Sequence, residues 1–439
     1  MRNAIRKPRF FSSAGLVLLA VIAAVVMTPA VSAAQEPAQP GARQAQVTFT
    51  KDVAPILQRS CQVCHRPGSI APMSLLTYEE ARPWARSMKE RVSTRDMPPW
   101  HIDRNIGITK FKNDPSLSDA EIATIVKWVD SGTPKGNMAD MPPARQFADL
   151  DQWNIGKPDL IATSTAHTVP AAGPDWWGDY TVDSGLTEDR YFKAIETKAG
   201  KGAHFVVHHV LTYMVEDETD SGRDTFLNEY ALGKNGDVYP DGAGKLLKAG
   251  AKIRFSFHYH PSGEETTDRS QVGFVFYPKG VVPKHVQYSK QLGRAGELDI
   301  PAGASNVRHD GYTRLNIAAK ITGFQPHLHF RAKRQCLELI YPDDRTEMLS
   351  CTNFQFAWHI VYNYTDDVAP IVPAGTILHV ISYHDNSALN KANPDPKNWI
   401  GGGSRGIDEM AFAWISWYDL TNEEYKQELD ARKAKRTSN

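Results

Sequence analysis

The stretch Gln335–Thr352, which reads QCLELIYPDDRTEMLSCT, decides the fold class of most of this chain. Its ends, Gln335–Tyr341 and Thr346–Thr352, have the pattern of two paired strands, and Pro342-Asp-Asp-Arg345 between them has the composition of a tight turn. The stretch therefore predicts a β-hairpin. Short runs of the same kind, separated by Gly, Pro and Asp, fill the sequence after about Asp151, which is typical of an all-β protein.

The same hairpin predicts a disulfide. A tight reversal between Asp343 and Asp344 places Cys336 directly opposite Cys351, and opposed cross-strand residues are close enough for a disulfide bond. In an exported protein such a bond is favoured over two buried free thiols, which are the alternative.

Residues from about Val47 to Lys135 have a different pattern, one of helices and loops. Three helices are predicted there: Asp52–Gln58, Tyr78–Val92 and Ser118–Ser131. A proline-containing linker follows this segment. A length of 439 residues with 41% apolar and 23% charged residues suits a globular chain of about three domains. The sequence thus predicts a small all-α domain followed by an all-β region.

The N-terminus has the pattern of an export signal. Four basic residues precede the apolar run Ala14–Met27, and the small residues Val31-Ser-Ala-Ala34 follow it, so we expect cleavage near Ala33 or Ala34. An uncleaved membrane anchor is the alternative, but the run is shorter than the roughly 20 residues of a spanning helix. Of the 50 basic residues four lie in this segment, which leaves 46 against 50 acidic residues and disfavours nucleic-acid binding.

The motif Cys61-Gln-Val-Cys64-His65 predicts covalent attachment of one haem. The two thiols at this spacing can add to the two haem vinyl groups while the adjacent imidazole reaches the iron. Half of a zinc site is the alternative, but no second cysteine pair lies nearby in sequence, and the export signal favours haem.

A loop methionine is expected to complete the iron site. Met97, between Asp96 and two prolines, is the preferred sixth ligand, and Met73 and His101 are the competitors. The whole segment resembles class I c-type cytochromes, in which a loop methionine before the C-terminal helix completes the iron site.

Histidines in the β-rich region suggest metal sites. His327 and His329 alternate along a strand, so both can face one ion, and Met410 could add a thioether, a donor set suited to copper. His208 and His209 are adjacent, so they could share an ion only at a bulge or a strand end. His258 and His260 share one face, and either or both could join that pair; each histidine alone is more often a structural residue.

Taken in order, these motifs resemble those of the copper type II, ascorbate-dependent monooxygenases, the family of peptidylglycine α-hydroxylating and dopamine β-monooxygenase. The matching motifs are His208-His209-Val210, Phe257-His258-Tyr259, His327-Leu-His329 and Asp408-Glu409-Met410. The resemblance implies that His208, His209 and His258 hold an electron-transfer copper. It also implies that His327, His329 and Met410 hold the copper that binds oxygen and substrate. His260 is an extra histidine.

The resemblance implies two jelly-roll-like β-sandwich domains that face each other across solvent, each carrying one of two copper ions. It also implies hydroxylation of a substrate C–H bond by O2, with two electrons consumed per turnover. The predicted organisation is a signal peptide (1–34), a cytochrome c domain (45–136), a linker (137–154), the electron-transfer copper sandwich (155–292), the oxygen and substrate copper sandwich (293–422) and a charged tail (423–439).

Departures from the family narrow the substrate. Peptide-hydroxylating members grip a carboxylate with an arginine where this chain has Gln325, and with an asparagine and a tyrosine where it has Phe412 and Trp414. A small apolar or aromatic molecule is therefore expected, with Met410, Phe412 and Trp414 on one strand face forming either a pocket or ordinary sandwich core.

The haem domain is the second departure, and it predicts that haem, reduced by an external donor, passes electrons to the His208 copper. The alternatives are a non-enzymatic periplasmic electron-transfer or copper-binding protein, and a copper and haem reductase of a small molecule. In each case the expected location is the periplasm or the extracellular space, with no permanent membrane anchor.

Overall fold

The computed structural model describes residues 46–147, 152–216, 224–231, 233–234, 236–294 and 297–437. The chain divides into two compact units, Met1–Gln46 and Val47–Asn439, and every described helix and strand belongs to the second. The predicted signal peptide lies outside the described residues. Among the helices in these ranges, none is long and apolar enough to cross a membrane.

The second unit begins with a helical segment. The α-helices of the described residues are α1 (Ala54–Ser60), α2 (Tyr78–Ala81), α3 (Ala85–Ser93), α4 (Asp119–Asp130) and, at the other end of the chain, α5 (Asn422–Thr437). Helix α4 begins as predicted, because Ser118 and Glu121 cap each other's backbone amides. The single helix predicted over Tyr78–Val92 is interrupted by a 3-10 turn at Arg82–Trp84, where Pro83 lacks an amide hydrogen.

The rest of the unit is β-rich. Its strands are β1 (Leu160–Thr163), β2 (His167–Val169), β3 (Trp176–Asp183), β4 (Arg190–Lys198), β5 (Val207–Met214), β6 (Thr225–Ala231), β7 (Asp237–Val238), β8 (Ala243–Leu247), β9 (Lys252–Tyr259), β10 (Thr266–Asp268), β11 (Gln271–Phe276), β12 (His285–Arg294), β13 (Val307–Arg314), β14 (Ala319–His327), β15 (Ala332–Ile340), β16 (Thr346–Asn353), β17 (Tyr362–Asn363), β18 (Ile371–Val372), β19 (Ile377–His384) and β20 (Ala411–Asp419).

These strands form two layered β-structures, each with its own apolar core. In the first sandwich, β1-β11-β4-β8 and β3-β9-β5-β6 share a core that includes Phe192 and Phe255. In the second sandwich, β12-β20-β14-β17 and β13-β19-β15-β16 share a core that includes Leu337 and Ile415. A parallel pairing of β8 with β12 joins one layer of each into a continuous sheet, so the two sandwiches are mechanically coupled.

Strand β20 is buried on both faces. Because side chains alternate along a strand, Ala413, Ile415 and Trp417 point into the core of the second sandwich. Phe412 and Trp414 point the other way and pack with Phe226 of β6, in the first sandwich. These two aromatic residues therefore fill the interface between the sandwiches. This position agrees with the alternative in which they belong to the packed core.

The predicted hairpin and disulfide are confirmed. Strands β15 and β16 pair with Cys336 opposite Cys351, and the two residues form a disulfide with 4.1 Å between their Cα atoms. The turn is one residue longer than predicted, because Thr346 pairs with Ile340 and not with Tyr341. A bulge after Leu337 compensates for this difference and restores the predicted register at the cysteines.

The hairpin also anchors the helical segment. Residues 100–112, which we call the strap, run along β16: the Asp103 amide donates to the Cys351 carbonyl (2.7 Å) and the Ile108 amide to the Leu349 carbonyl (2.8 Å). Asp103 pairs with Arg334 at 2.8 Å, and Trp100 packs against the core of the second sandwich. The helical segment is thus held against the second sandwich.

Replacing both cysteines, as Cys336→Ser with Cys351→Ser, should lower the free energy of unfolding by about 3 kcal/mol, because the bond closes a loop of about 15 residues in the unfolded chain. Denaturant titration of the variant and the oxidised parent measures this difference. Mass mapping without reductant that finds both thiols free in the parent would contradict the pairing.

Candidate functional site

Two histidines that are adjacent in sequence reach the same space. His208 and His209 lie at the start of β5, where the register with β9 shifts between Val207 and His209. A bulge there removes the usual alternation of side chains, and the two Nδ1 atoms lie 3.0 Å apart. Together with His258 on β9 they offer ligand atoms that all lie within 4.8 Å of one another. The sequence left a bulge or a strand end as the only ways to bring this pair together, and the structure contains such an irregularity at the beginning of the strand.

Asp175 orients this first histidine group. Its carboxylate accepts from His258 Nε2 (2.7 Å) and from His260 Nδ1 (2.6 Å). His258 therefore has Nδ1 as the ring nitrogen left for a metal, the usual effect of an outer carboxylate on a histidine ligand. His260 is exposed and belongs to neither three-residue donor group of the described residues.

Burial keeps these histidines neutral. It lowers the pKa of His208 to about 3, with further lowering by the charges that His359 and His258 would carry. It lowers the pKa of His258 as well, and that of His209 far more. Burial acts to raise the pKa of Asp175, but its hydrogen bonds from His260 and His258 outweigh this and lower it. At neutral pH the group thus presents uncharged imidazoles, the form that binds metals.

A second donor group lies at the interface of the sandwiches. His327 ends β14 and stacks on its cross-strand neighbour Phe412, with 4.4 Å between ring centroids. Its ligand atoms lie within 4.8 Å of those of Glu229, on β6, and His359, in the loop between β16 and β17. All three residues are buried. Sequence reasoning missed Glu229 and His359 because neither belongs to a spaced histidine motif.

His329 and Met410 are close to this group but are held differently. His329 Nδ1 donates to the Asp408 carbonyl (3.1 Å), which leaves Nε2 as its available nitrogen, and burial lowers its pKa to about 4. His329 is a member of neither three-residue donor group in the described part of the chain. Met410 packs against the cluster of Phe226, Phe412 and Trp414, whose Phe412 ring stacks on His327.

Glu409 holds the backbone beside His329. Its fully buried carboxylate accepts from the amides of His329 (3.1 Å) and Arg331 (2.6 Å). Burial raises the pKa of Glu409 to about 7, against the opposing effect of these hydrogen bonds. The Asp-Glu-Met motif therefore fixes the segment that follows β14.

The two histidine groups are connected by protein. His359 of the second group reaches the first, with its ring centroid 6.0 Å from that of His208 and 5.2 Å from that of His327. Phe356, from the same loop, lies 5.5 Å from His208 and 5.8 Å from His329 by ring centroids. The resemblance had implied sites that face each other across solvent, whereas here one loop fills the space between them.

The predicted haem residues line one cavity of about 200 Å³ in the helical segment. Cys61, Cys64 and His65 contribute to its wall, and so does Met97, but the competing ligands Met73 and His101 do not. The Met73 backbone instead accepts a hydrogen bond from His65 Nδ1 (3.3 Å), which leaves Nε2 of that ring available. Burial raises the pKa of Cys61 to about 12, so this cysteine remains a thiol.

Two consecutive residues connect the cysteine cavity to the histidine groups. Trp358 lines the cavity, and the next residue, His359, belongs to the second donor group and lies beside His208 of the first. Gly233 of the first sandwich, at φ 91°, lies so close to Trp358 that a Cβ atom would come within 3.2 Å of the ring. The loop is therefore wedged between the helical segment and the first sandwich.

The residues present fit the expected cofactors. Two thiols, an imidazole and a thioether around one cavity are the donors of a c-type haem. The cavity is smaller than the roughly 300–1,000 Å³ of most ligand sites, so its walls must separate to admit a macrocycle. Neutral histidines in groups of buried donors suit copper.

Comparison with known proteins assigns no family to the chain. No protein-family model and no curated protein matches the chain. Among solved structures, an allantoicase matches with a TM-score of 0.16 and 9% identity, over 48% of this chain and 77% of the other. The major capsid protein P2 of bacteriophage PM2 matches with a TM-score of 0.24 and 7% identity, over 60% of this chain and 100% of the other. The infectious bursal disease virus VP2 particle matches with a TM-score of 0.20 and 8% identity, over 61% and 74%. Similarity this low carries no conclusion about function.

Proposed function

We propose that the protein is a copper-dependent monooxygenase that hydroxylates a C–H bond of a small organic molecule with O2, with electrons supplied through a fused c-type haem. One observation carries the proposal. The cavity lined by Cys61, Cys64, His65 and Met97 and the buried histidine groups share the dipeptide Trp358-His359. Two sets of metal donors joined through two consecutive residues are an arrangement that suits electron transfer between them.

Each donor residue has a distinct role in this proposal. Cys61 and Cys64 would attach the haem, and His65 and Met97 would bind its iron. By resemblance, His208, His209 and His258 hold the electron-transfer copper, and His327, His329 and Met410 hold the oxygen and substrate copper. When bound, the haem supplies single electrons and copper supplies oxygen activation.

The protein around the histidines contributes orientation and exclusion of water. Asp175 fixes the ring of His258, and the Asp408 carbonyl fixes that of His329. Phe412 and Trp414 close the interface on one side with apolar surface. A dry surrounding strengthens electrostatic interactions and limits side reactions of activated oxygen.

The substrate proposal follows from what surrounds Gln325. This residue is buried and donates to the Glu229 carboxylate, so it is not available to grip a substrate carboxylate. An open cleft of about 680 Å³ is lined by Asp408, whose carbonyl holds His329. Trp399 and Ile407 contribute apolar surface to this cleft, and Arg331, Asp395 and Arg405 contribute charged groups. That volume suits a small organic molecule. We propose this cleft as the route for an apolar or aromatic substrate.

The disulfide between Cys336 and Cys351 supports export, since such bonds persist in oxidising compartments. We therefore propose a periplasmic or secreted protein whose haem receives electrons from an external donor. The cytochrome c character of the helical segment and the jelly-roll character of the two sandwiches are parts of the same proposal.

Changing Met97 to Leu should abolish the methionine-to-iron absorption band near the red end of the visible spectrum, because the thioether is lost while the cavity keeps its apolar lining. Spectra of the oxidised haem protein measure this. Met73→Leu is the matched control and should retain the band. A band that survives Met97→Leu excludes Met97 as the ligand.

Changing Trp358 to Leu should slow reoxidation of the reduced haem in copper-loaded protein by about tenfold, equivalent to roughly 1.4 kcal/mol in the barrier, because the ring joins the two sites. Rapid mixing with O2 and substrate measures the rate, and metal analysis checks that haem and copper contents are unchanged. Trp358→Phe should restore most of the rate.

The control is Trp84→Leu, a half-exposed tryptophan outside the cavity lining, which should leave the rate unchanged. Reduced haem that never reoxidises in the copper-loaded parent would refute the proposed electron supply. An unchanged rate in Trp358→Leu would refute only the role of Trp358.

A further inference from the structure

Three ionisable side chains from separate elements meet at the interface between the sandwiches. Glu229 on β6 is 1% exposed, His327 at the end of β14 is 6% exposed, and His359 in the loop after β16 is 3% exposed. Their ligand atoms lie within 4.8 Å of one another. Acidic and imidazole groups are rarely placed together in a dry interface unless something bridges them.

The atoms that face one another here lack hydrogen-bond partners. Among the described residues, none pairs with Glu229 Oε1, with His327 Nδ1 or with either ring nitrogen of His359. His359 Nδ1 and Glu229 Oε1 are 3.9 Å apart, too far for a hydrogen bond. The other carboxylate oxygen of Glu229 accepts from Gln325, which fixes the orientation of the carboxylate. Each of the three side chains thus carries at least one unsatisfied polar atom and offers one ligand atom within 4.8 Å of the others.

A buried structural histidine in the same fold looks different. His379 is equally buried, but its two ring nitrogens contact Asp310 (2.7 Å) and Glu338 (2.8 Å). This histidine is satisfied by protein alone, whereas His359 has no protein partner at either nitrogen. The comparison indicates that an additional partner belongs between Glu229, His327 and His359.

We propose that Glu229, His327 and His359 bind a divalent transition-metal ion, Zn²⁺ or Cu²⁺, between the two sandwiches. Two imidazoles and one carboxylate form a donor set that both ions accept, with room for water at a further position. The ion takes one ring nitrogen from each histidine and one carboxylate oxygen from Glu229, and the carboxylate offsets part of its charge. This site shares His327 with the donor set proposed for the oxygen and substrate copper, so the two sets compete for that imidazole, and ion binding here requires no oxygenase activity.

The position of the site gives it a structural consequence. Its ligands come from the first sandwich, from the second sandwich and from the loop that carries Trp358. A bound ion therefore ties these three parts together, and the protein is stabilised because the ion binds only the folded arrangement.

Zinc stoichiometry in a parent that carries both His208→Ala and His209→Ala tests the site, because these changes leave His258 as the one remaining ligand of the neighbouring histidine group. The haem-loaded protein is incubated with ZnSO4 and desalted, and bound Zn²⁺ is then measured by mass spectrometry, alongside the melting temperature with and without Zn²⁺. The parent should retain one Zn²⁺ per chain and melt at a higher temperature when loaded.

Adding Glu229→Gln or His359→Gln should each reduce the retained Zn²⁺ at least severalfold and abolish the rise in melting temperature. His285→Gln, which replaces a histidine far from the group in sequence, should have neither effect. Equal melting temperatures of the metal-free variants show that folding is intact. Met410→Leu should also retain Zn²⁺, since a thioether is not part of this donor set.

Two outcomes overturn the inference. If the parent retains no Zn²⁺, water satisfies the three side chains. If Zn²⁺ is lost in Met410→Leu and His329→Gln but kept in Glu229→Gln and His359→Gln, the ion sits on the donor set implied by the family resemblance. The second outcome leaves the proposed oxygenase intact, and the haem reoxidation experiment tests that function separately.

Discussion

The stacking of Trp414 on Phe226, with 3.9 Å between ring centroids, is the contact on which the candidate site depends. It joins the outer face of β20 in the second sandwich to β6 in the first. Burying an aromatic side chain contributes roughly 1.5–3 kcal/mol, so this face is strongly held against the first sandwich. The same contact brings the neighbours of these two residues into the interface. On β20 the neighbour is Phe412, on which His327 stacks, and on β6 it is Glu229.

This arrangement explains why polar groups occur where apolar packing would otherwise continue. Leaving a buried donor or acceptor without a partner costs about 1–3 kcal/mol, and several such atoms lie in this interface. These unpaired atoms offset part of the stabilisation that apolar packing gives the interface. A metal ion on Glu229, His327 and His359, as proposed, would satisfy one atom of each of these side chains. Through the adjacent residues His359 and Trp358, the same group connects to the cysteine cavity.

Local patterns in the sequence predicted much of this structure. The capping box of Ser118 fixed the start of α4, and the hairpin pattern predicted the opposition of Cys336 and Cys351. The second result was right through two compensating differences, a longer turn and a bulge, and no local pattern distinguishes this from a regular hairpin. Likewise, His208 and His209 could share an ion only at a strand irregularity. The sequence showed that such an irregularity was needed but did not show where it lies.

Other features depend on contacts between distant parts of the chain. His359 lies in an irregular loop, where no periodicity in the sequence marks a residue as facing inward. Glu229 lies on β6, and its sequence position does not show that this face of the strand packs against β14. Trp358 acquires its significance only because the strap holds the cysteine cavity beside the second sandwich. Tertiary packing determined these positions, and a single sequence does not encode them in a readable pattern.

The most direct test of the account is the ratio of copper to iron in haem-loaded protein after copper reconstitution and removal of loose metal. The account predicts two coppers per iron in the parent, and one per iron when His208 and His209 are both changed to Ala. One copper or none in the parent would contradict it and favour an electron carrier or a copper-binding protein without oxygenase activity.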